Sequence, residues 1–181
     1  MFASEGGIFY EGSFKKDLKH GIGRLFTPGG VYEGHFCADK MHGQGTLWYE
    51  ADLATFYTGQ FSKGERHGTG TDVWPGGKYT GDYVEGLRHG KGHLSLITEE
   101  YSGTFSQGQI EGHGTYTWYS GERVVRIYSG LFKVGKFHGM GVLTHPQEGK
   151  RYEGQFCNGH KHGCGRQISN GTEVHARWVH G

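Results

Sequence analysis

Histidine is the residue type in this sequence best suited to chemistry. Thirteen are present, and imidazole can ligate a metal or move a proton near neutral pH. Six open the same short motif: His20-Gly21-Ile22-Gly23, His42-Gly43-Gln44-Gly45, His67-Gly68-Thr69-Gly70, His89-Gly90-Lys91-Gly92, His138-Gly139-Met140-Gly141 and His162-Gly163-Cys164-Gly165. A seventh copy reads Glu111-Gly112-His113-Gly114. On a sheet with two strands per copy, equivalent histidines fall roughly 10 Å apart. Zinc needs its ligands at about 2 Å, so neighbouring copies cannot share one ion. The expected role of these histidines is therefore packing and hydrogen bonding at a turn. One local cluster escapes that argument: Cys157, His160, His162 and Cys164 lie close in the chain, but their spacing fits no common zinc finger, and no metal or other cofactor is expected.

Other catalytic patterns are missing. There is no G-x-S-x-G elbow and no Walker loop, and His-Gly-x-Gly lacks the lysine and helix start of a phosphate cradle. Acidic residues such as Asp82 and Glu153 recur along strand openings rather than as a pair in a cleft. The sequence does not read as an enzyme.

What positions these residues is a repeat. Tyr, then Gly two later, then an aromatic four later, occurs at Tyr10-Gly12-Phe14, Tyr32-Gly34-Phe36, Tyr57-Gly59-Phe61, Tyr79-Gly81-Tyr83, Tyr101-Gly103-Phe105, Tyr128-Gly130-Phe132 and Tyr152-Gly154-Phe156. Partial copies flank these, one over residues 1–9 and one over 174–181, the latter carrying Val174, Ala176 and Trp178. Tyr-x-Gly-x-Phe has the two-residue period of a strand with one patterned face. Seven after each Tyr stands Asp17, Asp39 or a Gly, types that tolerate the left-handed backbone of a tight turn. A second strand follows, then turns such as Pro28-Gly29-Gly30, Pro75-Gly76-Gly77 and Asn170-Gly171. Longer copies place insertions in this second turn, around Asp52 and around Glu122 to Arg126.

The expected fold is all-β: one domain over 1–181, an open, twisted, single-layer antiparallel meander of tandem hairpins in an elongated, solenoid-like rod of 14 to 16 strands. If Phe14 pairs across its hairpin with Gly21, then Tyr10, Gly12, Phe14, Gly21, Gly23 and Leu25 share a face, with rings over bare glycine backbone. That explains a chain with 36 glycines and 14% aromatics but only 34% hydrophobic residues.

Net charge is +1, from 19 basic and 18 acidic residues. That balance gives no case for nucleic acid. No stretch approaches the ~18 apolar residues of a membrane span, and the start Met1-Phe2-Ala3-Ser4-Glu5 lacks the regions of a signal peptide. Without a secretory signal the acceptor pattern Asn170-Gly171-Thr172 is expected to stay unglycosylated, and Cys37, Cys157 and Cys164 form an odd, sparse set that favours a reducing compartment.

Two groups of side chains lie outside the repeat signature. Phe26, Trp48, Tyr49, Trp74, Trp118 and Tyr119 either complete the inter-strand ladder or line a groove for a partner helix or peptide. Basic residues recur near the first turn, at Lys15, Lys16, Lys19, Lys63, Arg66, Arg88, Lys91, Lys133, Lys136 and Lys161. Of these, Lys15, Lys19, Lys63, Arg66, Arg88, Lys133 and Lys136 are the candidates for anionic lipid. The competing role is edge protection.

The pattern Y-x-G-x-F-x-x-G-x-x-H-G-x-G resembles the MORN repeat (membrane occupation and recognition nexus), over essentially residues 6 to 181. The resemblance implies a non-catalytic scaffold in the cytoplasm, at cytoskeletal or ciliary structures, with a protein partner. It leaves open a peripheral module for acidic phospholipid, or the regulatory region of a larger lipid kinase or lysine methyltransferase. Exposed sheet edges would also permit end-to-end self-association.

Overall fold

The computed structural model describes residues 2–5, 7–49 and 54–179, so the insertion expected around Asp52 lies outside the described residues. Its contacts cluster in two units, Met1–Arg88 and His89–Gly181. The first holds β1 (Phe2–Glu5), β2 (Ile8–Lys15), β3 (Leu18–Thr27), β4 (Gly30–Cys37), β5 (Lys40–Tyr49), β6 (Thr55–Ser62), β7 (Glu65–Trp74) and β8 (Gly77–Val84). The second holds most of β9 (Leu87–Leu96), then β10 (Glu99–Ser106), β11 (Gln109–Ser120), β12 (Arg123–Lys133), β13 (Lys136–His145), β14 (Lys150–Cys157), β15 (His160–Ser169) and β16 (Thr172–Trp178). Within each unit every strand pairs antiparallel with its neighbour in the chain. A 3-10 turn, Pro146–Glu148, links β13 to β14. The fold is the expected single-layer meander.

The first turn of each copy has the backbone its residues predict. Positive φ occurs at both central positions, as at Lys63 (54°) with Gly64 (98°) and Asn158 (50°) with Gly159 (90°). Two successive positive φ values are the signature of a type I′ hairpin turn, whose twist matches the strands it joins. Five of these turns are also tied to the copy before them: Gly64 N–H, for example, donates to Met41 O at 2.9 Å and Gly159 N–H to Phe137 O at 2.9 Å.

The register corrects one expectation. Gly12 faces Gly23 and Tyr10 faces Leu25, but Phe14 faces Lys19, not Gly21. Gly21 instead faces Phe36 of the next copy. The cause is a bulge: His20, Gly21 and Ile22 together oppose the single residue Ser13, and Gly21 takes φ 73°. Register shifts recur after Gly34, Gly59, Gly103, Gly130 and Gly154. The bulge removes one carbonyl from the ladder, and the repeat tyrosine supplies its partner. Tyr10 Oη donates to Ser13 O (2.9 Å), Tyr57 to Gln60 O (2.9 Å), Tyr101 to Thr104 O (3.0 Å) and Tyr152 to Gln155 O (3.0 Å), with Tyr32, Tyr79 and Tyr128 making the same bond.

Among the described residues every buried hydrophobic side chain is a Tyr or a Phe. Tyr10, Tyr32, Tyr57, Tyr101, Tyr128 and Tyr152 each lie flat over two glycines on adjacent strands. A Cβ added to Gly165 would sit 2.6 Å from Tyr152 Oη and 2.7 Å from its Cε2. Tyr10, Tyr32, Tyr57, Tyr101, Tyr128 and Tyr152 each also meet two rings edge-on, their own copy's and that of the following copy. Tyr32 lies 5.0 Å from Phe36 and 5.1 Å from Phe61, and Tyr128 lies 5.0 Å from Phe132 and 5.1 Å from Phe156. Such pairs add about 0.5–1.5 kcal/mol each beyond area burial. At the final partial copy Trp178 takes the Phe place, 4.9 Å from Tyr152. Ala176 is tolerated opposite Gly165 because Val174 puts no ring over it.

Candidate functional site

Strand alternation gives each unit a ring face, carrying the repeat tyrosines, and an opposite face that we call open. The ring face is largely closed by its own side chains. The residue before each His-Gly reaches over the neighbouring Tyr: Lys19 over Tyr10 (5.8 Å), Arg66 over Tyr57 (5.8 Å), Arg88 over Tyr79 (4.7 Å) and Lys161 over Tyr152 (4.8 Å). Phe137 stacks on Tyr128 at 3.8 Å. Met41 and Ile110 hold the same position in the repeat. The sequence reading missed this capping role, though a long side chain before every His-Gly was there to be seen.

Three of the seven lipid candidates are thereby engaged on the ring face rather than along an edge. Lys19 pairs with Asp39 at 3.4 Å, Arg66 with Asp72 at 2.8 Å, and Arg88 covers Tyr79 and Trp74. Asp72 stands where other copies have Leu25, Leu47 or Leu143. Burial raises its carboxyl pKa above the ordinary value, outweighing the lowering by Arg66. Lys15, Lys63, Lys133 and Lys136 are exposed at the turns, and Lys133 directly faces Lys136.

The six aromatics outside the signature are all half-buried, but they divide between the two faces. Tyr49, Trp74 and Trp118 are two residues along from Leu47, Asp72 and Tyr116, which pair with repeat tyrosines, so they lie on the ring face. Phe26 and Trp48 lie on the open face, as does Tyr119, whose hydroxyl donates to Glu100 at 2.9 Å. The six do not form one line.

The open face of the first unit does carry a line. Phe9 faces Phe26, Phe26 faces Val31, Val31 faces Trp48, Trp48 faces Phe56, and Phe56 faces Val73. These six are half-buried and come from six successive strands, β2 to β7. Beside them runs a hydroxyl row, in which Thr46 bonds Thr58 at 3.0 Å and Thr71 bonds Thr80 at 3.1 Å. Next come two shallow depressions of ≈ 330 and ≈ 390 Å³, floored by glycine backbone and walled by side chains such as His35, Gln44, Thr58 and Thr69. The equivalent row of the second unit is mixed: Ser95, Glu100, Thr117, Ile127, Thr144, Arg151, Ile168. Phe9, Val31, Phe56 and Val73 were missed from sequence. An apolar residue before Tyr in the first three copies, replaced by Lys78 and Glu100 in the next two, was the available signal.

The repeat histidines range from half-buried (His20, His138, His162) to exposed (His42, His67, His89). The firmer requirement at this motif is the following glycine, at φ 73°, 61°, 60°, 58°, 56° and 61° in the six His copies. Where Glu111 replaces His, its carboxylate accepts from the Val134 N–H of the next turn at 2.8 Å. Cys157 faces His160 across a turn, and Cys164 is exposed. No group of three or more metal-capable side chains occurs among the described residues. Nor is any helix there long and apolar enough to cross a membrane.

A family model for the MORN repeat matches residues 10–31, 32–51, 57–78, 79–96, 101–123, 128–150 and 152–173. Comparison with curated proteins gives no match.

Proposed function

The chain belongs to the MORN-repeat family, a repeat-based binding module, and from that premise we propose that it is a non-catalytic protein-interaction scaffold that takes a partner helix or peptide across the open face of its first unit. The observation behind this reading is the uninterrupted apolar row from Phe9 to Val73. Apolar surface of this extent beside polar walls is characteristic of interaction sites. The row spans five strand steps, about 24 Å, the length of a helix of about 16 residues. Its apolar stripe would rest on the row, and its polar flank would meet the hydroxyl and amide side chains. The cytoplasmic setting at cytoskeletal or ciliary structures is proposed on the family resemblance.

The test replaces Trp48 and Phe56 by Ser, with Trp118→Ser as the ring-face control, and measures co-purification of partner from source-cell lysate alongside Tm. Loss of the partner with Trp48→Ser/Phe56→Ser at an unchanged Tm is expected. Retention at full strength sinks the assignment of this row.

A second reading, peripheral contact with acidic phospholipid, has one observation in its favour: Lys133 and Lys136 face each other at an exposed turn. Like charges in that position are destabilising unless an anion lies between them. Salt-sensitive sedimentation with phosphatidylserine liposomes, abolished by Lys133→Glu/Lys136→Glu, is what this reading requires.

A further inference from the structure

The ring face of the second unit holds two cations, Arg126 and Lys161, that form no ion pair with a carboxylate among the described residues. Arg126 lies with its guanidinium 4.3 Å over Trp118 and 5.4 Å over Phe137. Its Nε is buried without a hydrogen-bond partner, and no carboxylate among the described residues pairs with it. Lys161 is the capping residue of its copy. Where Arg66 has Asp72, however, Lys161 has Gln167, to whose Oε1 its Nζ donates at 2.8 Å. Burial alone lowers the pKa of both groups, with no carboxylate opposing it. A desolvated cation without a partner is costly.

Beside Lys161, on β13 to β15, is a cavity of ≈ 210 Å³ lined by Leu143, His145, Glu148, Lys150, Tyr152 and Lys161 among others. Glu148 is already used, 2.7 Å from Lys150 and 3.9 Å from His145. Arg126, Lys150 and Lys161 thus set three positive charges against two carboxylates, Glu148 on Lys150 and Glu99, which accepts from Tyr116 Oη at 2.6 Å opposite the half-buried ring of Trp118.

We infer that this surface binds an acidic segment of a protein partner, with one carboxylate on Arg126, a second on Lys161, and an apolar residue against Trp118. The inference rests on the reading of the chain as an interaction scaffold and adds a second contact, of different chemistry, on the other unit. Arg126 on β12 and Lys161 on β15 are three strand steps apart, about 14 Å. One phosphate cannot bridge that distance, whereas two carboxylates of one peptide can. The planar guanidinium, held against a ring, presents its remaining N–H groups to a carboxylate in the bidentate geometry that lysine cannot offer.

The experiment titrates the full chain with a helical peptide of about 16 residues rich in glutamate, and with its lysine counterpart. Affinity is read by calorimetry and the Arg126 Nε–Hε resonance by NMR. The glutamate peptide should shift that resonance, bind more weakly as salt rises, and lose about tenfold in affinity in Arg126→Gln/Lys161→Gln, the order expected for charge-assisted hydrogen bonds. The lysine peptide should not bind. The wild-type NMR titration keeps the test informative if Arg126→Gln lowers Tm. An unmoved Arg126 resonance, or full affinity in the double variant, overturns the inference. So does binding to phosphatidylserine vesicles with none to the peptide. If affinity instead falls in Trp48→Ser/Phe56→Ser, the inference fails while the open-face reading stands.

Discussion

At the residue scale the repeat tyrosine does two jobs, filling the space over a glycine pair and capping a bulge carbonyl. Tyr57→Phe keeps the first and removes the second, leaving Gln60 O without its 2.9 Å donor. The expected loss is about 1–2 kcal/mol in urea unfolding. Gly165→Ala should cost more, about 3 kcal/mol or beyond, since the new methyl collides with the Tyr152 ring. Burial also pushes the hydroxyls of Tyr32, Tyr57, Tyr79 and Tyr128 up to about 12. The neutral phenol is the form the fold prefers. This stability is therefore fully present below the ordinary tyrosine value near 10 and is lost as pH rises from there through 12. Absorbance at the tyrosinate band should show these four groups silent at pH 10 and ionising together with loss of β-sheet circular dichroism near pH 12. Titration at ordinary values in a folded protein would contradict it.

At the scale of strands and turns, the type I′ turn carries one misfit. Val134 has φ 50° and is exposed, a conformation that is strained for a β-branched residue. Val134→Asn should raise stability by about 1 kcal/mol, read as an increased urea midpoint at unchanged m. The Arg66–Asp72 pair gives a second expectation. Arg66→Met alone leaves the half-buried Asp72 carboxylate without its ion-pair partner and should cost about 1–2 kcal/mol. Arg66→Met/Asp72→Leu recreates the Met41–Leu47 combination of the preceding copy and should be neutral or stabilising. Strands, turns and the Tyr-over-Gly motif were legible in the sequence because each has a local signature of period or residue type. The Phe14–Gly21 pairing was misjudged because a bulge is a three-against-one mismatch, and a simple two-residue alternation carries no trace of it. The candidate site was only half legible. Phe26 and Trp48 stood out as rings, but the row they belong to includes Val31 and Val73, and it exists only through cross-strand register. Arg126 gave no signal at all, since what marks it is the absence of a carboxylate in space.

For the molecule as a whole, the strand pairings run between chain neighbours within each unit, so stability should be a sum over copies and their adjoining contacts. Tyr57→Ala, which removes a ring with no exposure, should lower amide-exchange protection most strongly in β5 to β8 and least in β14 to β16. Uniform loss across all strands would point to one global unfolding unit instead. The bulge, with its tyrosine and its positive-φ glycine, resets the register once in each of six copies. A single inserted residue within a strand would turn every later side chain of that strand to the other face. A whole inserted or excised copy brings its own reset and leaves the faces as they were. The protein is in this sense written in syllables: its gene can lengthen or shorten by one copy without a spelling error, and the length of the surface it offers becomes a quantity that duplication alone can adjust.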